Sequence, residues 1–297
     1  MTAPDTLPAP RACTWEIDGL HLAGLAWGPE EGTPVLALHG WMDHADSFRE
    51  LAPRLAGCHV VAPDLSGQGL SGHRAAHATY NIWDDLPQLV ALLDVLGWTD
   101  AVLLGHSRGA NIAALFAAAL PERVRALVSL DSLVPEPAPE DAFVPTLRAF
   151  VEQTRRQQGR PPRRFESRAA YIDRRVDQGN ARRTAEALAD RALEPADGWV
   201  HLRGDARLFA SSAVKLTRAN VEAVLSALRC PVLNIWASDG IRARRDHVAD
   251  LARRAETLVA HYETTELAGD HHFHLDPQAA EEIATAVAAF LERGGVR

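Results

Sequence analysis

A serine flanked by glycines offers the clearest chemistry in this sequence. The pentapeptide Gly105–Gly109 reads Gly-His-Ser-Arg-Gly; it follows the apolar run Val102–Leu104 and precedes the helical pattern Ala110–Leu120. A strand, a tight turn and a helix in that order present Ser107 at the apex, with glycines where a Cβ would clash. The bare pattern arises by chance in roughly one chain in ten of this length, so Ser107 needs partners elsewhere in the chain.

The first partner must be a base, because a serine hydroxyl is a poor nucleophile near neutral pH until a base takes its proton. The loop before the last predicted helix offers His271, His272 and His274. Such a His-His-x-His cluster can also bind zinc, but no cysteine or carboxylate stands beside it at typical zinc-ligand spacing. We therefore predict a base in this loop and no metal.

The second partner must be a carboxylate that fixes the tautomer of the base. Asp131 and Asp239 each follow a strand-like apolar run, and both can reach a base that hangs over the end of the sheet. An oxyanion also needs two backbone N–H donors. We expect these from Arg108, next to the serine, and from Trp41, in the loop after the third strand.

The surrounding elements alternate between strand and helix, which predicts a mostly parallel sheet of eight strands with helices on both faces. Ligands bind beyond the carboxyl ends of such strands, and His39, Asp64, Ser107 and Asp131 all fall at such ends. The fold class is therefore α/β.

Two local patterns before the serine make further predictions. Asp18-Gly19 lies within an alternating apolar stretch and predicts an antiparallel hairpin. The apolar spacing over Phe48–Leu55 predicts a helix.

The alternation stops after Asp131 and returns at the strand Val232–Trp236. From Phe143 to about Leu193 the chain is arginine-rich and helical in period, with no strand-like run. Helices are expected over 139–158, 167–178 and 181–193. We therefore predict a core of residues 1–133 and 216–297, interrupted by a helical cap (lid) over 134–215 that roofs the site.

Composition and charge limit the classes of protein to which this chain can belong. The 297 residues are 47% hydrophobic and 24% charged, with a net charge of −8; this acidic balance argues against nucleic-acid binding. No apolar run approaches membrane-spanning length, and Met1–Pro10 has no signal-peptide pattern. Three unpatterned cysteines predict free thiols. We expect a cytoplasmic monomer or dimer with no nucleic-acid or membrane partner.

Taken together, these motifs resemble the α/β-hydrolase superfamily and, within it, the serine-hydrolase-like, carboxylesterase-type proteins. The resemblance covers nearly the whole chain. The segments that carry it are Leu38–Asp43 with Ser47-Phe48, Pro63–Ser71, Gly105–Gly109, Leu130–Ser132 and His271–Pro277.

The resemblance implies hydrolysis of a small-molecule carboxylic ester through an acyl-enzyme, with no cofactor. It implies Ser107 as nucleophile and His271 as base. Serine-hydrolase-like members carry a carboxylate at the position of Asp131, which we favour as the acid; Asp239 is the alternative, because many members of the superfamily use an aspartate after the later strand.

Two departures from the family pattern leave questions open. Asp270 stands where members usually have glycine, so His272 is a second candidate for the base. Arg108 stands where many members have a small or apolar residue, so its side chain either enters the site or pairs with an acid.

Ser107 argues against some reactions known for this fold but leaves several others open. Haloalkane dehalogenases and epoxide hydrolases share the fold but use an aspartate nucleophile, so Ser107 argues against both. Lactonase, C–C hydrolase, cofactor-free haloperoxidase and acyltransferase activities, or a non-catalytic ligand-binding role, are the alternatives to ester hydrolysis. Four aromatic side chains are expected to line an apolar substrate pocket: Trp41, Phe143, Trp236 and Phe273.

Overall fold

The computed structural model describes residues 7–296 and contains two sheets. The strands are β1 (Arg11–Ile17), β2 (Leu20–Trp27), β3 (Thr33–Leu38), β4 (Cys58–Pro63), β5 (Ala101–His106), β6 (Val124–Leu130), β7 (Arg164–Phe165), β8 (Leu193–Ala196), β9 (Trp199–Leu202), β10 (Val232–Asp239) and β11 (Tyr262–Asp270). The large sheet has the order β1-β2-β4-β3-β5-β6-β10-β11. Its β1–β2 and β2–β4 pairs are antiparallel and its other pairs are parallel, which confirms the predicted mostly parallel eight-stranded sheet.

Helices cover both faces of this sheet. Within residues 7–296 they are α1 (Leu86–Val95), α2 (Arg108–Ala119), α3 (Phe143–Gln157), α4 (Arg168–Asp177), α5 (Arg182–Ala192), α6 (Arg218–Ala227), α7 (Ile241–Arg244), α8 (Asp246–Leu258) and α9 (Pro277–Arg293). Side chains of α1, α2, α6 and α8 contribute to one core cluster, and those of α9 contribute to a second. Strand residues alternate between the two: in β5, Leu103 joins the first, and Val102 and Leu104 join the second.

The predicted first hairpin is confirmed, and its turn has the expected geometry. Asp18 and Gly19 have φ of 52° and 74°, so both central residues take the left-handed conformation that suits an Asp-Gly hairpin turn. β1 and β2 pair along their whole length on either side of it.

The helix predicted over Phe48–Leu55 is wrong. The structure has two short 3₁₀ helices there, Ala45–Phe48 and Ala52–Arg54. Pro53 has no backbone N–H and cannot donate to a helix ladder running through this segment. The apolar spacing that suggested a helix instead buries Phe48 and Leu51 against the sheet.

The segment between β6 and β10 contains α3, α4 and α5, close to the predicted helix bounds. The prediction of no strand between Phe143 and about Leu193 is wrong, because β7 lies within that stretch. It forms a small antiparallel sheet with β9 and β8, which follow the predicted helices. Asp197 and Gly198 form its turn, with φ of 50° and 77°. This is the same Asp-Gly signal as in the first hairpin. The cap bounds of 134–215 stay a prediction.

The chain ends and cysteines complete the description. Residues 1–6, used in the signal-peptide argument, and residue 297 lie outside the described residues. The three cysteines are free, and Cys58 and Cys230 are buried. Within residues 7–296, no helix is both long enough and apolar enough to cross a lipid bilayer.

Candidate active site

Ser107 lies at a sharp turn between β5 and α2. Its backbone has φ of 52° and ψ of −117°, a conformation that side-chain-bearing residues rarely adopt. A Cβ at Gly105 would lie 2.4 Å from the Cα of Ala110, and one at Gly109 would lie 1.9 Å from the carbonyl oxygen of Leu38. Both flanking positions therefore require glycine, as the pentapeptide predicts.

The structure joins Ser107, His271 and Asp131 in one line of hydrogen bonds. His271 Nε2 lies 2.9 Å from Ser107 Oγ, and His271 Nδ1 lies 2.6 Å from Asp131 Oδ2. Asp131 is fully buried and also accepts the backbone N–H groups of Ala237 at 3.2 Å and Ile241 at 2.9 Å. Three donors suit a carboxylate, which only accepts. With Nδ1–H donated to Asp131, His271 Nε2 is free to accept the serine proton.

Asp239 lies elsewhere. It ends β10, is exposed, and its carboxylate accepts a hydrogen bond from Ser238 Oγ at 3.1 Å. Of the two acid candidates, the structure brings only Asp131 to His271. The catalytic role of Asp131 is still a prediction, but its position is that of the orienting carboxylate.

His272, the second candidate base, forms a separate pair with Asp43. His272 Nε2 lies 3.1 Å from Asp43 Oδ2, and the Arg175 guanidinium lies 3.4 Å from Asp43 Oδ1. Burial alone would raise the pKa of Asp43, but His272, Arg175 and His106 outweigh burial and hold that pKa well below its ordinary value. Since Asp43 occupies its Nε2, His272 is not in the position of a base for Ser107.

His106 and His274 fill the space beneath these two pairs. His106 Nε2 donates to the backbone carbonyl of His271 at 2.7 Å and thereby fixes the start of the loop that carries the base. Burial, together with the neighbouring histidines, lowers the pKa of His106 well below its ordinary value. Burial likewise lowers the pKa of His274 to about 3, so both rings are neutral near neutral pH.

One group of side chains has the spacing of a metal site. Asp43, His106 and His272 offer ligand atoms that all lie within 4.8 Å of one another. Arg175 and His272 already compensate the Asp43 charge. The expectation that no metal binds stays a prediction.

The two predicted oxyanion donors border the serine. Arg108 is the first residue of α2, so its N–H belongs to the first turn, where no intrahelical acceptor exists. Its side chain turns away from the site: the guanidinium donates to Asp85 at 2.8 Å and to the Tyr80 carbonyl at 3.4 Å. The alternative in which Arg108 pairs with an acid is therefore the one observed.

Trp41 lies at the mouth of the site with 47% of its surface exposed. Its indole N–H donates to the Leu208 carbonyl at 3.2 Å, and its ring meets Phe209 edge-on at 5.0 Å. Ser107 and Trp41 both line a cavity of about 540 Å³. The backbone N–H of Trp41 as an oxyanion donor stays a prediction.

The predicted pocket aromatics divide into two groups. Trp41 and Trp236 line the cavity. Phe143 does not, because it lies on the outer side of α3 with half of its surface exposed. Phe273 does not either, because it is 1% exposed and packs in the core beside α9.

The cavity has an apolar wall of which the sequence predicted only Trp236. Its members come from the exit of β6, from β10 and from α8: Leu133, Val134, Trp236, Val248, Leu251 and Ala252. The end of α4 closes another side with Arg175 and residues 178–180.

The pairing of Asp43 with His272 was also missed. Both residues lie in motifs that carry the family resemblance, but they are 229 positions apart. The cue available in the sequence was an unassigned aspartate in one motif and a surplus histidine in the other. Only the fold brings the two loops together.

Comparisons with known proteins agree with the fold described above. The profile of the alpha/beta hydrolase fold family matches residues 33–277. A serine hydrolase-like protein of Dictyostelium discoideum is 31% identical over 88% of this chain and 76% of its own. The human serine hydrolase-like protein 2 is 27% identical over 92% and 91%. The crystal structure of a hypothetical protein from Pseudomonas aeruginosa PAO1 superposes with a TM-score of 0.89 at 35% identity, covering 95% of this chain and 99% of the other.

Proposed function

The chain belongs to the α/β-hydrolase family, among its serine-hydrolase-like members, and on that premise we propose that it cleaves carboxylic esters through an acyl-enzyme. The observation that carries the proposal is the hydrogen-bonded line from Ser107 through His271 to Asp131. A nucleophile, a base and an orienting carboxylate in that order make a serine hydroxyl reactive near neutral pH.

In the acylation step, Ser107 Oγ attacks the ester carbonyl carbon and its proton passes to His271 Nε2. Asp131 holds the ring through Nδ1 and stabilises the imidazolium that forms. The backbone N–H groups of Trp41 and Arg108 bind the oxygen on which negative charge develops. His271 then protonates the alkoxide as the C–O bond breaks, so the alcohol leaves and the acyl group stays on Ser107.

In the deacylation step, water takes the place of the alcohol. His271 removes a proton from the water as its oxygen attacks the acyl carbon. It then gives that proton to Ser107 Oγ as the bond between the acyl carbon and Oγ breaks. The products are a carboxylic acid and the free enzyme.

The cavity supports a small ester with an apolar portion. Its volume of about 540 Å³ lies within the range of small-molecule sites. One wall is apolar, from Leu133 to Ala252, and polar side chains such as Arg175, Arg244 and Arg245 line other parts of the cavity. We expect a short or medium apolar acyl or alcohol group to pack against Trp236 and Val248.

Turnover of a short-chain p-nitrophenyl ester tests the proposal. We expect hydrolysis by the wild type and a loss of about 10⁴-fold or more in kcat/KM for Ser107→Ala. Ser132→Ala is the matched control, because Ser132 also lines the cavity but its hydroxyl bonds to Asn111. A fluorophosphonate probe should label wild-type Ser107 and leave Ser107→Ala unlabelled.

Two results would oppose the proposal. One is a Ser107→Ala variant that hydrolyses esters at the wild-type rate. The other is a wild type that turns over no member of an ester panel but binds its members, which would favour the non-catalytic alternative.

A further inference from the structure

Helix α3 carries its apolar side chains on the outside of the molecule. Nine large hydrophobic side chains of the described residues are exposed, and four of them lie on this one helix. They are Phe143 (51% exposed), Val144 (70%), Leu147 (39%) and Val151 (52%). Positions 143, 147 and 151 repeat every fourth residue and so form one stripe. A surface helix normally turns such a stripe towards the core.

The inner side of α3 holds the helix in this orientation. Gln153 Oε1 accepts the backbone N–H of Ser211 at 2.8 Å. Phe150 and Thr154 face the segment of Tyr80 and Arg207. Gln153, Phe150 and Thr154 thus anchor the inner side of α3, which leaves the apolar stripe on the outside.

The apolar surface continues to the mouth of the cavity. α3 packs against the 3₁₀ turn Ala206–Phe209, and Phe209 is itself 38% exposed. Phe209 contacts the ring of Trp41, which lines the cavity that contains Ser107. Exposed apolar side chains thus run from α3 through Phe209 and Trp41 to the site.

The end of this surface is strongly cationic. Residues 143–165 contain six arginines and one glutamate, although the whole chain has a net charge of −8. Arg155, Arg156 and Arg160 are exposed. Arg155 donates to Gln158 and Arg160 to Gln157, and among the described residues none of the three arginines has a carboxylate within ion-pair distance. An exposed apolar stripe followed by arginines is the pattern of helices that lie on anionic lipid surfaces.

We propose that α3, with Phe209 and Trp41, docks on an anionic lipid surface and brings the cavity mouth to it. The sequence predicts no membrane partner because it has no apolar run of membrane-spanning length, but lying on a bilayer requires no spanning helix. A second copy of the chain is a poorer occupant, because a two-fold contact through α3 would bring two arginine-rich segments close together.

Vesicle flotation tests the proposal, with phosphatidylcholine vesicles that contain or lack phosphatidylglycerol. We expect binding to the anionic vesicles that weakens as salt is added. Leu147→Glu and Val151→Glu should each lower the partition coefficient by about tenfold or more, and the double variant Arg155→Gln/Arg156→Gln by about tenfold. Val95→Glu is the matched control, because Val95 is 58% exposed at the end of α1, outside this surface, and should bind as the wild type does.

Docking does not depend on turnover, so the same assay is run with Ser107→Ala, which should bind as the wild type does. Circular dichroism and hydrolysis of a soluble ester check that Leu147→Glu and Val151→Glu are folded. Absence of vesicle binding at low salt, or undiminished binding by both glutamate variants, would overturn the proposal. So would a wild-type dimer in sedimentation experiments that Val151→Glu converts to monomer, because a second copy would then cover the surface.

Discussion

Two histidine–aspartate pairs lie side by side in this molecule, and adjacent residues of one loop supply the histidines. His271 binds Asp131 through Nδ1 and reaches Ser107 with Nε2. His272 binds Asp43 through Nε2, and Arg175 of the segment between β6 and β10 contacts the same carboxylate. The residue types are identical, but the atoms used are different.

The difference shows that a histidine and an aspartate do not by themselves make a base. In the first pair the carboxylate binds Nδ1, and Nε2 is left facing the Ser107 hydroxyl. In the second pair the Asp43 carboxylate binds Nε2 of the ring, and the Arg175 guanidinium lies beside its other oxygen. We infer that the His271–Asp131 pair determines the rate of ester hydrolysis. The His272–Asp43 pair, through Arg175, stabilises the contact between the histidine loop and α4.

Replacing His271 and His272 separately by alanine tests this difference in role most strongly. His271→Ala should lower kcat/KM by about 10⁶-fold, because the serine loses its base. His272→Ala should lower kcat/KM by no more than about tenfold, because His271 keeps both of its hydrogen bonds. Ester kinetics on both variants are the measurement, and a His272→Ala loss as large as that of His271→Ala would reverse the assignment.

The two candidate acids, Asp131 and Asp239, should also differ in their effect on kcat/KM. Asp131→Asn should lower kcat/KM by about 10⁴-fold, because an amide favours the wrong tautomer of the ring. Asp239→Asn should change kcat/KM by less than about threefold, since that side chain is exposed and contacts Ser238. If Asp239→Asn removed most of the activity, Asp131 could not be the orienting acid.

Stability, measured by urea unfolding, should respond most to the second pair. Asp43→Ala leaves Arg175 facing a buried site without its carboxylate, so the free energy of unfolding should fall by about 3 kcal/mol. Its effect on kcat should be far smaller than that of Asp131→Asn. Glu16→Ala is the control for an ordinary pair, because Glu16 and His21 are exposed and such pairs contribute less than about 1 kcal/mol. Equal losses in the two variants would show that the buried pair is not structural.

The histidines beneath both pairs predict how stability depends on pH. Burial lowers the pKa of His274 to about 3, whereas its value in the unfolded chain is about 6.5. Between these values the unfolded chain binds a proton that the folded chain does not. The free energy of unfolding should therefore fall as pH drops below about 6.5, by up to about 1.4 kcal/mol per pH unit from this residue.

His274→Leu checks this prediction, because leucine cannot take up the proton. Urea unfolding of wild type and variant across the acidic range should give a shallower pH slope for the variant. An unchanged slope would mean that His274 is not the residue responsible.

The sequence predicts the parts of the site that depend on local order. Gly105–Gly109 combines a strand end, a turn and a helix start within a few residues, and Asp18-Gly19 likewise marks the first hairpin. The same Asp-Gly signal at Asp197-Gly198 was not used, so the second hairpin was missed. The sequence could not predict contacts between distant loops, such as that of Asp43 with His272. These contacts depend on how the sheet brings the ends of its strands together. The sequence also misassigned Phe48–Leu55, where burial, without a helix, accounts for the apolar spacing.

The backbone conformation that presents Ser107 at the turn also has a consequence for thermostability. Holding a serine at φ of 52° costs on the order of 1–3 kcal/mol, which the rest of the fold must offset. Glycine accepts this conformation without that cost. Ser107→Gly should therefore melt at a higher temperature than the wild type while losing all turnover, so selection for heat resistance alone would tend to remove the residue on which the proposed activity depends.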